Sequence, residues 1–235
     1  MCIRLRWCLC LAVLAAVTTG ALADDPPLLT LTGCLSVGDG GLKATGSWND
    51  PCTEFCWQVS NEVTGDPNIW RYEYTLTVPK CDIRKLFIEA SSECEMEFTE
   101  DNLFDPRSCP PEWLKDTDVD WFAVKCMGVE APLYGIKASG CSGYQEVTFK
   151  FESDRGPRWG DFYALDGDLL GFPLADVCNA GFFTEDPLDA IVDNGTVCNH
   201  ILVPDTGNLI PEPATLSVLG IGAIVGSVAR RRRRR

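Results

Sequence analysis

Three aspartates lie close together in a turn-rich stretch and form the clearest group of side chains that could do chemistry. Asp161, Asp166 and Asp168 are interleaved with Gly160 and Gly167. Clustered carboxylates beside glycine turns are typical of loops that gather oxygen ligands for calcium. The alternative is a pair of solvated hairpin turns, for which Asp-Gly is a favoured sequence. The pattern makes these aspartates candidate calcium ligands, and we expect no other cofactor.

A second aspartate run, at residues 116–120, has the spacing that begins an EF-hand calcium loop. The sixth position of that loop needs glycine and the twelfth needs glutamate. Trp121 and Met127 occupy these positions, so an EF-hand is excluded. A calcium site of another kind, completed by a second loop, stays open as an alternative.

The residue types needed for nucleophilic catalysis do not form a coherent set. The chain has one histidine, His200, and no Gly-x-Ser-x-Gly motif, so a serine-hydrolase triad is not indicated. We expect His200 to be a packing residue. Two acidic residues could serve a glycosidase, but a chain with 34 Asp and Glu brings some carboxylates together by chance. We expect no catalytic residues and a non-enzymatic protein, with a secreted carbohydrate-active hydrolase as the alternative.

The charge of the chain limits the partners that it can bind. The formal net charge is -14, and such a surface repels nucleic acid and anionic lipid. It attracts divalent cations or basic partners, although acidic surfaces also serve simply to keep secreted proteins soluble. We therefore expect no nucleic-acid partner.

The first residues predict a secretory signal peptide over 1–23. Arg4 and Arg6 precede an apolar run that ends in small residues, which is the order that signal peptidase reads. Cleavage is expected between Ala23 and Asp24.

The cysteines predict a framework of disulfides. Of the 13 cysteines, Cys2, Cys8 and Cys10 lie in the leader, and the other ten are Cys34, Cys52, Cys56, Cys81, Cys94, Cys109, Cys126, Cys141, Cys178 and Cys198. An even number in an exported chain predicts five disulfides of unknown connectivity. Zinc is the less favoured alternative, because structural zinc sites use paired cysteine spacings and several histidines. Cys126 is expected on an apolar strand face, from which it could bridge to a second sheet.

The last residues combine a short motif, an apolar segment and a basic end. Pro211, Glu212 and Pro213 are followed by the uncharged stretch 214–229 and by arginines at 230–235. As a helix this stretch is about 24 Å long, whereas a membrane span usually needs about twenty residues. The sequence therefore predicts a marginal transmembrane helix with the arginines on the cytoplasmic side.

This arrangement resembles the PEP-CTERM sorting signal. The motif residues are Pro211, Glu212 and Pro213, and Arg230, Arg231 and Arg232 begin the basic cluster. The resemblance implies processing by an exosortase, a membrane cysteine protease, in bacteria that make extracellular polysaccharide. It implies transient residence in the inner membrane, then transfer to the cell surface or biofilm matrix. Residues 149–167 and 179–182 are also similar to a segment in PEP-CTERM ectodomains of unknown function, which supports a β-rich surface domain.

The elements between the two terminal signals are predicted to be strands. Residues 69–78 alternate apolar and polar side chains, which is the period of a half-buried strand. Shorter strands are predicted in the sequence ranges 86–90, 122–126, 134–138, 147–151 and 197–203. The best helix candidates are only short pieces, at 112–115 and 174–178. Short strands with disulfides favour an all-β, disulfide-stapled antiparallel β-sandwich of jelly-roll or Ig-like type.

These patterns together predict the organisation and role of the protein. We expect a signal peptide (1–23), a secreted domain (24–204), a linker (205–210) and a sorting signal (211–235). The expected function is an exported surface or matrix component with a structural or binding role, and exopolysaccharide is a candidate partner. Trp113 and Trp159 are the tryptophans that we expect to be exposed for sugar stacking. A calcium-dependent adhesin is a further alternative.

Overall fold

The structure is a computed structural model that describes residues 28–91, 97–167, 174–192 and 194–204. All of them belong to one unit, Pro27–Ile210. The predicted signal peptide, linker and sorting tail lie outside the described residues, as do Cys94 and Asp168. Within the described ranges, no helix has the length and apolar character needed to cross a membrane.

The described residues form strands and two short 3₁₀ turns, Gly46–Trp48 and Glu100–Asn102. The strands are β1 (Thr30–Ser36), β2 (Leu42–Ala44), β3 (Glu54–Ser60), β4 (Trp70–Thr77), β5 (Lys85–Glu89), β6 (Phe104–Cys109), β7 (Leu114–Cys126), β8 (Val129–Gly140), β9 (Glu146–Ser153), β10 (Pro157–Gly160), β11 (Phe162–Leu165), β12 (Asp176–Asn179) and β13 (Ile201–Pro204). All named strand pairs are antiparallel. The all-β, antiparallel part of the predicted fold is confirmed.

Strand β4 occupies the centre of a five-stranded sheet with the order β1-β3-β4-β9-β6. Its residues alternate between buried and half-buried along the whole strand, because successive side chains of a strand point to opposite faces. The apolar set Trp70, Tyr72, Tyr74 and Leu76 faces the core. The predicted strand at 69–78 and its buried face are therefore confirmed.

A six-stranded sheet has the order β2-β12-β11-β5-β8-β7. It shares one apolar core with the five-stranded sheet. Phe55 of β3 stacks on Phe162 of β11 with ring centroids 3.7 Å apart, so the two sheets meet face to face at this point.

The strands β10 and β13 form a separate pair, and β13 contacts β3 of the five-stranded sheet and β5 of the six-stranded sheet. The Tyr74 hydroxyl of the five-stranded sheet donates to the Leu202 carbonyl oxygen of β13 at 2.9 Å. All four residues of β13 are buried. The last described strand is therefore built into the core.

The six-stranded sheet carries a second, smaller core on its other face. In β5, Leu86 and Ile88 enter the shared core, whereas Phe87 between them enters the second one. The buried members of this second core are Phe87, Val124, Cys126, Leu133, Tyr163, Cys178 and Phe182.

The Cys126–Cys178 disulfide closes this second core. It joins β7 to β12, which are four places apart in the sheet order. At a strand spacing of about 4.8 Å a flat sheet would hold them about 19 Å apart, yet the two Cα atoms are 6.1 Å apart. The sheet therefore curls around the second core, and the prediction that Cys126 bridges to another sheet is wrong.

Several local predictions differ from the structure. The helix candidates at 112–115 and 174–178 are wrong, because both overlap strands, β7 and β12. Trp113 and Trp159 are buried rather than exposed. Trp113 donates from Nε1 to the Ile83 carbonyl oxygen at 2.7 Å, so its polar atom is satisfied inside the core.

Candidate functional site

Two aspartates and the histidine meet at one point of the domain. Asp161 lies between β10 and β11, Asp186 lies in the segment after β12, and His200 directly precedes β13. Their ligand atoms all lie within 4.8 Å of one another. The Nδ1 atom of His200 is 3.1 Å from Asp161 Oδ1 and 3.3 Å from Asp186 Oδ1. We name these three residues the histidine cluster.

A tight turn before β13 places the His200 ring in the cluster. Cys198 and Asn199 have positive φ angles of 51° and 61°, and the His200 amide donates to the Val197 carbonyl oxygen at 2.9 Å. A Cβ atom on Gly181 would lie 2.6 Å from His200 Nε2. Glycine is required at position 181, because a Cβ atom there would clash with the imidazole ring of His200.

The side-chain amide of Asn179 orients the Asp161 carboxylate. Its Nδ2 donates to Asp161 Oδ1 at 2.6 Å and to the Asn199 carbonyl oxygen at 2.9 Å. Its Oδ1 accepts from the Phe162 amide at 3.1 Å. Because Asn179 is fully buried, this fixed amide ties β11 and β12 to the turn that carries His200.

The cluster shifts the protonation of the groups around it. Burial and the negative charges of Asp186 and Asp161 raise the pKa of Glu89 to about 8, against a lowering by its hydrogen bond from the Asp161 amide. Burial alone would lower the pKa of His200. Its contacts with Asp161 and Asp186 outweigh burial and raise the pKa of His200 to about 9. Negative potential therefore dominates this part of the domain.

A cleft of ≈ 300 Å³ adjoins the cluster. Asp186 belongs to both, since it lines the cleft with a side chain that is 36% exposed while it contacts the buried His200. Glu89, Arg158 and Trp159 line other parts of the cleft. A ligand entering the cleft from solvent can thus reach Asp186, the most exposed member of the histidine cluster.

The three aspartates predicted to bind calcium have different positions. Asp161 is part of the histidine cluster. Asp166 accepts hydrogen bonds on Oδ1 from the amides of Leu174 and Ala175, each at 3.0 Å, and so joins the end of β11 to the residues that directly precede β12. Asp168 lies outside the described residues, and the calcium site stays a prediction.

The cysteines form two disulfides in the described residues. One is Cys126–Cys178, and the other, Cys34–Cys56, joins directly opposed residues of β1 and β3. The free described cysteines are Cys52, Cys81, Cys109, Cys141 and Cys198. The remaining predicted bridges, and any bridge of Cys94, stay predictions. Glu54 lies near Cys34 and Cys56, but a metal cannot use sulfurs that are bonded to each other.

Two residues of the site were not singled out from the sequence. Asp186 and Glu89 are separated in the chain from His200 and Asp161, and each sits among ordinary acidic residues. The sequence feature that could have located this site is His200 itself, because a single buried histidine in an acidic chain is expected to contact carboxylates. The structure places His200 in the interior, where its side chain is fully buried.

Comparison with known proteins identifies only the end of the chain. The family model described as the PEP-CTERM protein-sorting motif matches residues 209–234. No curated protein and no solved structure matches the chain. The resemblance of the tail to this sorting signal is therefore confirmed, and the match implies an exported protein that an exosortase processes.

Proposed function

We propose that this chain, which carries a PEP-CTERM protein-sorting motif, is a non-enzymatic component of the cell surface or extracellular matrix. The sorting motif at residues 209–234 is the observation that carries the proposal. In this proposal the inner membrane holds the protein only until an exosortase processes the tail. The domain then remains outside the cell as a β-sandwich of jelly-roll or Ig-like type.

Two features of the domain support an extracellular role. The disulfides Cys34–Cys56 and Cys126–Cys178 are typical of oxidising compartments. The net charge of the whole chain is -14 although six arginines stand at 230–235, so the domain released without them is more acidic still and is repelled by anionic lipid. An acidic surface suits contact with matrix polymers through cations or through their neutral groups.

The sorting step is tested by changing the motif and leaving the domain intact. In the producing bacterium, Pro211→Ala with Pro213→Ala should leave uncleaved protein in the inner membrane. Pro67→Ala, which changes a proline in a loop of the domain, is the matched control and should be sorted normally. Fractionation and mass spectrometry of the C-terminus give the result. Normal surface yield of the motif variant would refute the proposal.

The binding role is tested on the released protein. Its retention on the bacterium's own extracellular polysaccharide, compared with an unrelated acidic protein, should be measured with calcium and with EDTA. Retention supports a matrix-binding role. Failure to bind in both conditions, with the fold confirmed by circular dichroism, would exclude exopolysaccharide as the partner.

A hydrolase is the second candidate function, and one observation favours it. Glu89 and Asp186 line the same cleft, and glycosidases use a pair of carboxyl groups that flank the scissile bond. The released protein should be assayed for new reducing ends on the same polysaccharide. Turnover that is lost in Glu89→Gln would replace the non-enzymatic proposal.

A further inference from the structure

The ligand atoms of the histidine cluster converge without a linear hydrogen bond between them. Although Nδ1 of His200 lies 3.1 Å and 3.3 Å from two carboxylate oxygens, it makes no hydrogen bond of acceptable geometry to any residue that the structure describes. The side chain is 0% exposed. A buried polar atom without such a partner is costly, and this one points into a pair of carboxylates.

The hydrogen bond at the other ring nitrogen, Nε2, defines which nitrogen carries a hydrogen. The Thr184 hydroxyl donates to the Gly181 carbonyl oxygen at 2.7 Å, so it can only accept from His200 Nε2, which lies 3.1 Å away. When Nδ1 gives up its proton to make room for a cation, the hydrogen that the ring keeps is therefore the one on Nε2. The Nδ1 lone pair faces the oxygens of Asp161 and Asp186. Three electron pairs converge on one point, which needs a proton or a metal cation.

We propose that Asp161, Asp186 and His200 bind one divalent transition metal ion of the zinc class. Ligand atoms held about 2.0–2.1 Å from a tetrahedral zinc lie about 3.3 Å from one another. The two separations measured from Nδ1, 3.1 Å and 3.3 Å, match that edge. An imidazole nitrogen is a common ligand of zinc and is foreign to calcium, which takes oxygen ligands.

The surroundings are those of a metal site. Histidine ligands of zinc characteristically use their second nitrogen in a hydrogen bond that orients the ring, and here Nε2 contacts Thr184. Asp161 is held by the amide of Asn179, which donates to Oδ1 at 2.6 Å. Two of the three ligands are therefore oriented before any ion arrives, and the ordering required on binding falls mainly on the half-exposed Asp186.

The ion would have one position left for an outside ligand. Three protein ligands occupy three corners of a tetrahedron, and the fourth takes water or another molecule. Asp186 lines the cleft, so exchange with solvent is expected from that side. The site does not depend on the proposed surface role.

Metal binding is tested on the full chain in detergent, stripped with a chelator. The free thiols are alkylated first, so that cysteine sulfur cannot take the ion. Titration with zinc against a chromophoric chelator should show one bound ion per chain and a higher melting temperature. Cobalt should give the visible absorption of a four-coordinate nitrogen and oxygen site. A folded protein that takes up neither ion, or prefers calcium, would overturn the proposal.

Variants on one loop separate this site from surface binding. Asp186→Ala should weaken zinc binding by at least about tenfold, because it removes a ligand. Asp189→Ala removes the same charge from an exposed position of the same segment and should bind like the parent. Asp186→Asn, which keeps the volume of the side chain, provides a second ligand variant. Equal binding by all four proteins would contradict the assignment.

Discussion

The six-stranded sheet buries side chains on both of its faces, and the two faces are stabilised in different ways. Toward the five-stranded sheet it contributes Leu86, Ile88 and Phe162 to a large core in which aromatic rings stack. On the other face it encloses a small core around Phe87 and Tyr163. This small core has no second sheet against it among the described residues, and the Cys126–Cys178 disulfide closes it instead.

The difference shows how the curl of a sheet can replace a second layer. Because hydrophobic stabilisation grows with the apolar area removed from water, a cluster this small stabilises its own surroundings weakly. A covalent link between β7 and β12 lowers the entropy of the unfolded chain and so offsets the missing area. The large core should therefore depend on packing, and the small core on its bridge.

The largest effect is expected from a cavity in the large core. Phe55→Ala removes a fully buried ring that stacks on Phe162 and should lower the free energy of unfolding by about 3–5 kcal/mol. Val63→Ala, at an exposed position, is the control and should change it by less than about 0.5 kcal/mol. Urea unfolding measures both. A loss below about 1 kcal/mol in Phe55→Ala would show that the sheets do not pack as described.

Removing the bridge tests the small core. Cys126→Ala with Cys178→Ala removes a disulfide with a sequence separation of 52. The free energy of unfolding should fall by an amount near the upper end of about 2–4 kcal/mol. Cys34→Ala with Cys56→Ala removes a link with a separation of 22 between strands that are already paired. It should cost less. If urea unfolding showed a larger loss of stability for the Cys34/Cys56 variant, the curl of the six-stranded sheet would not depend on the Cys126–Cys178 disulfide.

Two tyrosine hydroxyls sharpen the comparison at the level of single hydrogen bonds. Tyr74→Phe leaves the buried Leu202 carbonyl oxygen without its donor and should cost about 1–3 kcal/mol. Tyr163→Phe in the small core removes a longer hydrogen bond, at 3.4 Å to Asp176, and a contact with the Lys125 backbone. Because Asp176 keeps the Thr45 hydroxyl as a donor, the loss of stability should be smaller than in Tyr74→Phe. Chemical unfolding of both variants gives the difference. Equal losses would mean that the small core is as tightly hydrogen-bonded as the large one.

The smallest expected effect is a pH dependence beside the small core. Burial, assisted by the charge of Asp166, raises the pKa of Asp176 above its usual value, against hydrogen bonds from Thr45 and Tyr163 that lower it. With a raised folded-state pKa, this carboxyl favours folding most below about pH 3.9, and that contribution is lost as pH rises through the folded-state pKa.

Asp176→Asn removes this titration and tests it. Asn keeps an acceptor for the Thr45 hydroxyl, which bonds Asp176 Oδ1 at 2.5 Å. The stability of the variant relative to the parent should therefore increase between about pH 4 and pH 7. Urea midpoints at several pH values measure it. A difference that does not change with pH would contradict the raised pKa.

The alternation of apolar and polar residues along the strands predicted the large core and missed the small one. In β4 apolar and polar residues alternate, and the predicted face is the buried one. In β5 the run Leu86-Phe87-Ile88 has no polar residue. An unbroken apolar run indicates a strand buried on both faces, and this was the available signal for the second core.

Contacts between distant residues explain the other errors. Trp113 is buried because Gly140, from β8, leaves space for its ring, which a Cβ atom at position 140 would overlap. Short stretches such as 174–178, apolar except for Asp176, fit a helix or a strand equally well until their neighbours are known. The histidine cluster depends on the same kind of contact, because Asp161, Asp186 and His200 come from three separate segments.

The position of β13 has a mechanical consequence. This strand is the last that the structure describes, and the sorting tail follows it in the chain. If the processed end holds the protein at the cell surface, any pull on the domain enters through β13. The load then falls on its pairing with β10 and on the Tyr74 hydrogen bond to Leu202. In that case the tether would pull on a buried strand, and detachment of the domain under flow would require the core to open.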